Sequence, residues 1–440
     1  MDAAEPILPE LDYLATEPVQ HAVTHRSYTS VKPVNENYKN GNDLCFDILK
    51  TDCATALHES YIILKCQIVK GDDSALVAAD NVGPVNNLLH SMWTQVSVSL
   101  NGHEVEKLDH YPYRAYMSML TSYSKEVLDT RGELIGWARD TAGHWNDTSL
   151  VTSGNDAGKN LGFQKRATPF KLSNVVTLVG RIDSDVMNQG RDIPPDTLIQ
   201  LKLSRSSNDF VLMSSTANAS YKLKLLHAEL MVARDKLAPS LHKAQMDMIS
   251  KYNLAINYRH SKVITHNVAI GTSSGSFTNA FNGILPDRFF AFFVNNDDFT
   301  GKLASNPFQF DRHTLTKIVA KVNETTTLPS RGEYNPSGSV EEVYYQFLRE
   351  FDADEENFML NVSKSDFVKG FAIFPFRVIP RTRGGDILAP PASGTISIDY
   401  TFETALTKTC TLVLVADFRG KFELRAQGDF SAPAAVAATA

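Results

Sequence analysis

Short runs in which apolar and polar residues alternate dominate the chain. In Trp93–Leu100 the residues Val96, Val98 and Leu100 share one face of an extended strand, because successive strand side chains point to opposite sides. That run ends at Asn101-Gly102, two residues that tolerate positive φ, which predicts a tight hairpin turn. The other predicted strands are Leu44–Leu49, Ser60–Val69, Asn174–Ile182, Thr197–Arg205, Lys222–Arg234, Lys262–Ile270, Arg288–Val294, Leu315–Val322, Phe367–Val378, Thr395–Phe402 and Thr409–Leu424.

Three segments have apolar residues at helical spacing instead. They are Tyr113–Leu128, Ser240–Tyr252 and Val340–Phe351. The middle one follows Pro239 and is expected to link the two halves of the chain. The pattern as a whole predicts an all-β protein with short helices in its connecting loops.

The two halves carry an internal repeat in the same order. A strand ending in Asn is followed by a helix, then by an apolar strand with an Arg near its end, a polar turn, an Asp-Ile step, a Pro-Pro pair and an alternating strand. In the first half these markers are Asn101, Arg181, Asp192, Pro194 and Pro195, and in the second half Asn323, Arg377, Asp386, Pro390 and Pro391. The repeat indicates a duplicated β domain.

A length of 440 residues agrees with two domains of about 200 residues each. Tandem β domains with one long helical connection each favour jelly-roll sandwiches. We therefore expect two tandem jelly-roll β-sandwiches, a double jelly roll. The expected boundaries are an N-terminal arm over 1–40, a first jelly roll over 41–238, a second over 239–427 that starts with the linker helix, and a disordered Ala/Pro tail over 428–440.

Residues 84–116 read PVNNLLHSMWTQVSVSLNGHEVEKLDHYPYRAY. This block resembles the major capsid proteins of Polinton/Maverick elements and adintoviruses, which belong to the double jelly-roll lineage of virophage and adenovirus-hexon capsid proteins. Weaker matches follow in order along most of the chain, whereas residues 1–40 and 131–171 have no match. The positions that carry the resemblance, together with those of the repeat, are Pro84, Val85, Asn86, Asn87, Asn101, Gly102, Tyr111, Pro112, Tyr113, Arg114, Asp192, Pro194, Pro195, Asp386, Pro390 and Pro391.

The resemblance implies a structural protein of an icosahedral double-stranded DNA virus and no enzymatic activity. Three copies would form a pseudo-hexagonal capsomer, which would then contact neighbouring capsomers, penton proteins and minor or cement proteins. The protein would be made in the host cytoplasm, with assembly in the nucleus as one option, and would reside in the virion. Residues 131–171 are expected to form an outward-facing loop. The alternatives are a non-catalytic glycan-binding protein and a domesticated two-jelly-roll protein.

The charge and the cysteines exclude several other classes. The net charge is −7 and no Lys/Arg run reaches five residues, so no sequence-specific nucleic-acid binding is expected. No stretch has the roughly 18 apolar residues of a membrane helix. The four cysteines Cys45, Cys53, Cys66 and Cys410 lack zinc spacing and are expected to be free thiols.

Motifs that could carry chemistry are weak. Gly271-Thr-Ser-Ser-Gly275 matches a nucleophile elbow but lacks a convincing helix after it. Residues 154–160 resemble a phosphate loop with the wrong spacing and without the Mg²⁺-binding hydroxyl. His21 and His25 have no third metal ligand nearby, and Arg377, Arg381 and Arg383 form either a contact surface or a solvated turn. We therefore expect no catalytic residues, no cofactor and no metal. Trp93 and Trp137 are either interface anchors or buried residues.

Overall fold

The computed structural model describes residues 20–150, 158–252, 254–324, 326–334, 340–350, 362–379, 392–424 and 430–431. The strands of the first half are β1 (Val23–Val31), β2 (Leu44–Ile48), β3 (Ala54–Lys70), β4 (Gly83–Pro84), β5 (Trp93–Leu100), β6 (His103–Asp109), β7 (Val176–Gly180), β8 (Ile199–Arg205), β9 (Leu212–Met213) and β10 (Tyr221–Leu237). Those of the second half are β11 (Leu254–Val268), β12 (Ser274–Ile284), β13 (Arg288–Asn295), β14 (Leu315–Val322), β15 (Thr326–Tyr334), β16 (Phe374–Arg377), β17 (Ser393–Phe402), β18 (Cys410–Leu424) and β19 (Phe430–Ser431).

Helices lie between the strands, as expected. They are α1 (Leu88–Ser91), α2 (Tyr111–Ser122), α3 (Lys125–Thr130), α4 (Leu161–Ala167), α5 (Asp185–Asn188), α6 (Asn208–Val211), α7 (Pro239–Lys251), α8 (Asn296–Thr300), α9 (Val340–Glu350) and α10 (Lys364–Val368). The predicted helix over 113–128 is two helices, because Tyr123 is extended and Ser124 begins a new helix. The linker helix and the second-half helix lie where the spacing predicts them.

The strands of each half form two facing four-strand arrays. In the first half the orders are β1-β10-β3-β7 and β2-β8-β5-β6, with β4 and β9 paired separately. In the second half they are β11-β18-β13-β16, to which β19 adds beside β18, and β12-β17-β14-β15. Lettering the eight main strands of each half B to I in chain order gives B-I-D-G and C-H-E-F twice. This is the strand order of a jelly roll, so each half is one jelly roll, called here the first and the second domain.

Strand β1 corrects the prediction of a free arm over residues 1–40. Val23–Val31 pairs antiparallel with β10 and is the B strand of the first domain. None of its side chains is buried, so its sequence shows no alternation of apolar and polar residues. Backbone hydrogen bonds to β10 hold the strand in place. Residues 1–19 lie outside the described part of the chain.

The internal repeat corresponds to the same elements in both domains, which confirms it at the level of topology. Asn101 and Asn323 follow the two E strands, and α2 and α9 lie in the two F–G connections. The Asn101-Gly102 hairpin joins β5 to β6, with φ of 49° and 84° at these residues. Asp386, Pro390 and Pro391 lie outside the described residues.

The core of each domain lies between its two sheets. In β5 the predicted face is buried, with Val96, Val98 and Leu100 each at most 1% exposed. Burying an aliphatic side chain of this size stabilises the fold by about 2 kcal/mol. Trp93 and Trp137 are also buried within the chain, so neither is an exposed interface anchor.

Two predicted segments in the second half differ from the structure. The run Phe367–Val378 is the end of α10, a turn at Gly370 and then β16, because Ser363 and Asp366 form a capping box that starts a helix before the strand. In the predicted disordered tail, Phe430 and Ser431 pair with Leu424 and Glu423 of β18. The backbone groups at this end of β18 therefore bond to the tail.

Candidate functional site at the junction of the two jelly rolls

Helix α2 lies between the two domains. His110 enters it in the left-handed region, with φ of 51°, and Pro112 occupies the first turn, where its missing N–H costs no hydrogen bond. Most of its residues are buried, although an amphipathic surface helix normally buries a single face. The helix contacts its own strand β5 and also β11 and β18 of the second domain. Since both sides are covered, α2 joins the two domains.

Aromatic rings make up much of this contact. The ring of Tyr113 stacks on Phe299 of α8, with centroids 5.5 Å apart, and lies 6.1 Å from Phe292 of β13. Tyr116 stacks on Phe308 at 4.3 Å, with the rings 5° from parallel. Each aromatic pair adds roughly 0.5–1.5 kcal/mol to the burial of its area. The stacks hold the second domain against α2.

A buried polar network begins at the other side of α2. The Tyr111 hydroxyl accepts the N–H of Asp183 at 2.9 Å and lies 2.7 Å from His90 Nδ1. Burial lowers the pKa of His90 to about 4, so the imidazole is neutral near pH 7. The Tyr111 hydroxyl therefore satisfies two buried groups at once, the N–H of Asp183 and the Nδ1 of His90.

Arg114 extends this network into the second domain. Its guanidinium pairs with the carboxylates of Asp183 and Asp185 and donates to the Asp183 carbonyl at 2.7 Å. Asp185 Oδ2 in turn accepts the backbone N–H of Ser261 in β11 at 2.7 Å. The two buried carboxylates raise the pKa of Arg114 even though desolvation opposes this effect. The ion pair therefore connects the domains through a buried site.

The network continues on the outer face of the second domain's B-I-D-G sheet. The Ser261 hydroxyl donates to Asp417 Oδ1 at 3.4 Å, and Arg288 Nε donates to Asp417 Oδ2 at 2.8 Å. Arg288, Asp417 and Ser261 lie side by side on β13, β18 and β11. The first domain covers this face.

Glu106 of β6 is a third buried carboxylate of this network, after Asp183 and Asp185. Its Oε1 accepts the N–H of Asp185 at 2.7 Å, and its Oε2 accepts the N–H of Val186 at 3.1 Å and the hydroxyl of Ser184. These donors belong to the start of α5. Burial, and next the negative charge of Asp185, raise the pKa of Glu106 to about 7.

The Pro84–Asn87 part of the motif shapes the D–E connection of the first domain. Asn86 is fully buried, and its Oδ1 accepts the N–H groups of Ala138 at 3.0 Å and of Asn87 at 2.8 Å. Asn87 takes φ of 58° before α1, a conformation that Asn adopts more readily than most residues. Through the hydrogen bond from Ala138 to Asn86, residues 84–87 are held against the segment that follows α3.

Residues 131–171 are not the free outward loop that the sequence predicts. In their described part, Arg166 and Asp140 form a buried ion pair at 2.7 Å. Trp145 Nε1 donates to the carbonyl of Lys369 in the second domain at 2.6 Å, and Arg139 pairs with Asp366 there at 2.6 Å. The Trp145 hydrogen bond and the Arg139–Asp366 ion pair make this segment a second contact between the domains. Residues 151–157 lie outside the described residues.

The remaining motif positions lie apart from this junction. Asn101 and Gly102 are at the E–F turn, and the Asp192–Pro195 stretch follows α5 in the G–H connection. Asp192 is half-buried beside His58, at 3.9 Å, and desolvation raises its pKa. The structure therefore places Tyr111, Tyr113 and Arg114 on the junction helix, Asn86 in the interior of the first domain, and the turn residues elsewhere.

Sequence reasoning missed Asp183, Asp185, Glu106, Ser261 and the phenylalanines of the second domain. A lone charged residue inside the apolar Tyr-Pro-Tyr-Arg-Ala-Tyr helix start was the available signal, because a buried Arg requires carboxylate partners. Nothing in the spacing indicates which carboxylates these are.

The sequence motifs that could carry chemistry do not form a catalytic or metal site in the described residues. Gly271 turns the chain into strand β12 and not into a helix, which contradicts a nucleophile elbow. Within the described residues, no group of three or more His, Cys, Asp or Glu side chains could hold a metal ion. No described helix is both long and apolar enough to cross a membrane. All four cysteines are free thiols.

Solved capsid structures share this architecture. A chain of the 3.5 Å cryo-EM structure of the Sputnik virophage has a TM-score of 0.66 and 11% identity, covering 100% of this chain and 96% of that one. The mavirus major capsid protein gives 0.52 and 11%, over 98% and 95%, and the PBCV-1 virus capsid 0.55 and 10%, over 96% and 100%. No protein-family model and no curated protein matches the sequence. Strand order and superposition together identify the chain as a double jelly roll.

Proposed function

We propose that this chain is a major capsid protein whose three copies form a pseudo-hexagonal capsomer of an icosahedral double-stranded DNA virus. The observation that carries the proposal is the way in which the two jelly rolls meet. Elements α2, α5 and β6 of the first domain contact β11 of the second, and α2 also contacts β18. The F–G connection and its neighbours in one domain, called here the helical flank, thus cover the outer face of the B-I-D-G sheet of the next domain, called here the sheet flank.

Such a head-to-tail contact uses two different surfaces, so repeating it gives either a closed ring or an open filament. Within one chain it leaves the sheet flank of the first domain and the helical flank of the second domain without a neighbouring domain. Because the two domains share one topology, these flanks consist of the equivalent strands and connections of the pair already in contact. Three chains joined in this way supply six similar domains, which is the requirement for filling a hexagonal position with a trimer.

The resemblance of residues 84–116 supports assignment to the Polinton/Maverick and adintovirus lineage. Two residues of that block take part in the junction between the domains: Tyr113 contacts Phe292 of the second domain directly, and Arg114 reaches Ser261 through Asp185. A motif needed to hold two jelly rolls together would do the same. In this proposal the protein is structural and without catalytic activity. It is part of the virion, and its partners are copies of itself, neighbouring capsomers, and penton and minor capsid proteins.

The domain boundaries belong to the same proposal. We place the first jelly roll at 41–238 with β1 added, and the second at 239–427, with α7 at its start. The net charge of −7 supports a role in which the protein does not gather the genome by neutralising its phosphates.

The test is the mass of the purified chain by size exclusion with light scattering, followed by negative-stain imaging. The proposal expects a stable species of three times the chain mass of 48.7 kDa, with hexagonal outlines. A species that stays at the single-chain mass at all concentrations would overturn the trimer and favour a binding module. A glycan array on the same sample would then test that alternative.

A further inference from the structure

We infer that the outer face of the first domain's B-I-D-G sheet receives helix α9 from a second copy of this chain. This inference rests on the proposed trimer and names the surfaces that join its copies. The face is defined by Tyr28 of β1, Tyr61 and Ile63 of β3, Val179 of β7 and Met231 of β10.

The orientation of these five side chains follows from the strand register. Their sequence neighbours Ile62, Leu64 and Leu230 point into the sandwich and are fully buried, so alternate residues point outward. Met231 is paired with Tyr61, and Ile63 with Val179. The rings of Tyr28 and Tyr61 lie 6.1 Å apart across the intervening strand. The result is a surface of apolar side chains over four strands, crossed by one hydrogen bond on the same face, from the Ser30 hydroxyl to Glu229.

This surface remains accessible in the single chain. Tyr28 is 48% exposed, and the other four residues are partly exposed. At the side of β7 the surface continues into a cleft of about 330 Å³, lined also by Val127 and Leu134, which are 37% and 55% exposed. The lining of the cleft also includes the charged residues Glu59, Arg131 and Arg181. Exposed apolar side chains with charged residues around them are typical of an interaction site, which has an apolar centre and a polar rim.

The equivalent face of the second domain shows what covers such a surface. There Ser261, Phe292 and Asp417 point outward from the corresponding B, D and I strands, and all three are buried. Their cover is α2 and α5 of the first domain, through Tyr113 against Phe292 and Asp185 against Ser261. The covering helix α2 belongs to the F–G connection.

Helix α9 is the corresponding F–G element of the second domain, and one side of it is open. Val343 and Phe347 are buried against their own domain, and Tyr344 donates to the carbonyl of Val362. Tyr345 points away from that side and is 57% exposed. Among the described residues, α2 is therefore covered on both sides and α9 on one. An exposed tyrosine on a helix is a suitable anchor for an apolar cleft.

Each chain therefore has one free surface of each kind, and they cannot meet within the chain because its own two domains are already joined by the other pair. A second copy satisfies both surfaces by the same contact that joins the domains. The ring closes when the last α9 reaches the first β1.

Site-directed photocrosslinking tests this inference. Benzoyl-phenylalanine replaces Tyr345 in unlabelled chains, which are mixed with ¹⁵N-labelled wild-type chains before assembly, and crosslinked peptides are identified by mass spectrometry. The expected result is a crosslink from position 345 to labelled peptides of β1, β3, β7 or β10, or to residues 127–134 of the adjoining cleft. Crosslinks to other elements of the labelled chain would overturn the inference.

Two substitutions provide a second readout. Tyr345→Arg and Met231→Arg, on opposite sides of the contact, should each raise the trimer dissociation constant by more than about tenfold, as expected for residues near the centre of an interface. Tyr252→Arg, at a tyrosine that is 62% exposed after α7, is the matched control and should leave the trimer intact. A thermal unfolding scan of each variant verifies that it is folded.

The outcomes separate this inference from the proposed function. Trimers that persist in both variants, with crosslinks elsewhere, would refute the contact and leave the capsomer standing. A wild-type chain that never forms trimers would refute the capsomer and this contact together. Monomeric Tyr345→Arg and Met231→Arg beside a trimeric Tyr252→Arg would support both.

Discussion

Asn101 and Asn323 make the same two hydrogen bonds in the two domains. Asn101 donates its N–H to the carbonyl of Leu198 at 2.8 Å, and its Oδ1 accepts the N–H of Leu198 at 2.9 Å. Asn323 does the same with Thr395, at 2.9 Å for both bonds. Their φ angles are 49° and 50°. Each Asn thereby connects the E–F turn to the start of the H strand through two hydrogen bonds.

Replacement of either Asn should destabilise its own domain. Asn101→Ala or Asn323→Ala loses a hydrogen bond worth about 1 kcal/mol and adds about 1 kcal/mol of left-handed strain. The corresponding Gly variants lose the bond without the strain, so they should be less destabilising. The measurement is urea denaturation. Asn218, with φ of 57° and no side-chain partner in the described chain, is the control: Asn218→Ala should show the strain alone. Equal losses for all three Ala variants would contradict the proposed bonds.

Tyr111 and Tyr113, two residues apart in α2, should differ in how loss of the hydroxyl changes the stability of the protein. Tyr111→Phe removes the group that satisfies both the N–H of Asp183 and the Nδ1 of His90, and leaving buried polar groups unpaired costs about 1–3 kcal/mol. The Tyr113 hydroxyl is buried without a hydrogen-bond partner among the described residues. Tyr113→Phe should therefore be neutral or stabilising by up to about 1 kcal/mol. Thermal and urea unfolding of both variants check this, and a destabilised Tyr113→Phe would show that its hydroxyl has a partner.

Arg114 should be among the costliest residues to replace. Arg114→Met keeps a long apolar stem but leaves the carboxylates of Asp183 and Asp185 buried without their cation. Breaking a buried pair in this way costs about 3–5 kcal/mol. Lys165 pairs with Glu133 where both side chains are more than half exposed, so Lys165→Met should change the free energy of unfolding by less than about 1 kcal/mol. Similar losses for both variants in urea titrations would contradict the buried network.

The sandwiches were predictable because their signal is local. Val96, Val98 and Leu100 alternate within a single strand, and Asn101-Gly102 indicates its turn, so β5 and its hairpin follow from ten neighbouring residues. The helix α9 follows likewise from its apolar spacing. Strand β1 was missed because its side chains are all at least partly exposed. Nothing local distinguishes such a strand from an extended arm.

The junction was predictable only in part, because its contacts are distant in sequence. Arg114 meets Asp183 and Asp185 across 69 and 71 positions, and many Asp residues of the chain fit an Arg equally well by composition. The resemblance singled out Tyr111, Tyr113 and Arg114 without assigning them contacts. Residues 131–171 were misjudged as a free loop because the polar residues that suggest a loop, such as Asp140 and Arg166, satisfy one another in the interior.

The pKa of Glu106 gives the junction a pH dependence with a definite sign. Burial raises it from 4.5 to about 7, so between these values the folded chain holds a proton at Glu106 that the unfolded chain has released. Stability from this group is then fully present below about pH 4.5 and is lost as the pH rises through about 7. The change amounts to about 3 kcal/mol.

Glu106→Gln removes this titration together with its effect on the neighbouring Asp185. Titrating groups remote from Glu106 are common to both proteins and cancel in the difference. Urea denaturation from pH 4.5 to 8 should show the stability of the wild type relative to Glu106→Gln declining as the pH rises. Glu104→Gln, at an exposed position on the same strand, controls for the substitution itself. If the three hydrogen bonds from Ser184, Asp185 and Val186 outweighed burial, they would favour the carboxylate and lower its pKa. The wild type would then gain stability relative to Glu106→Gln with rising pH, and the assignment of a raised pKa would be wrong.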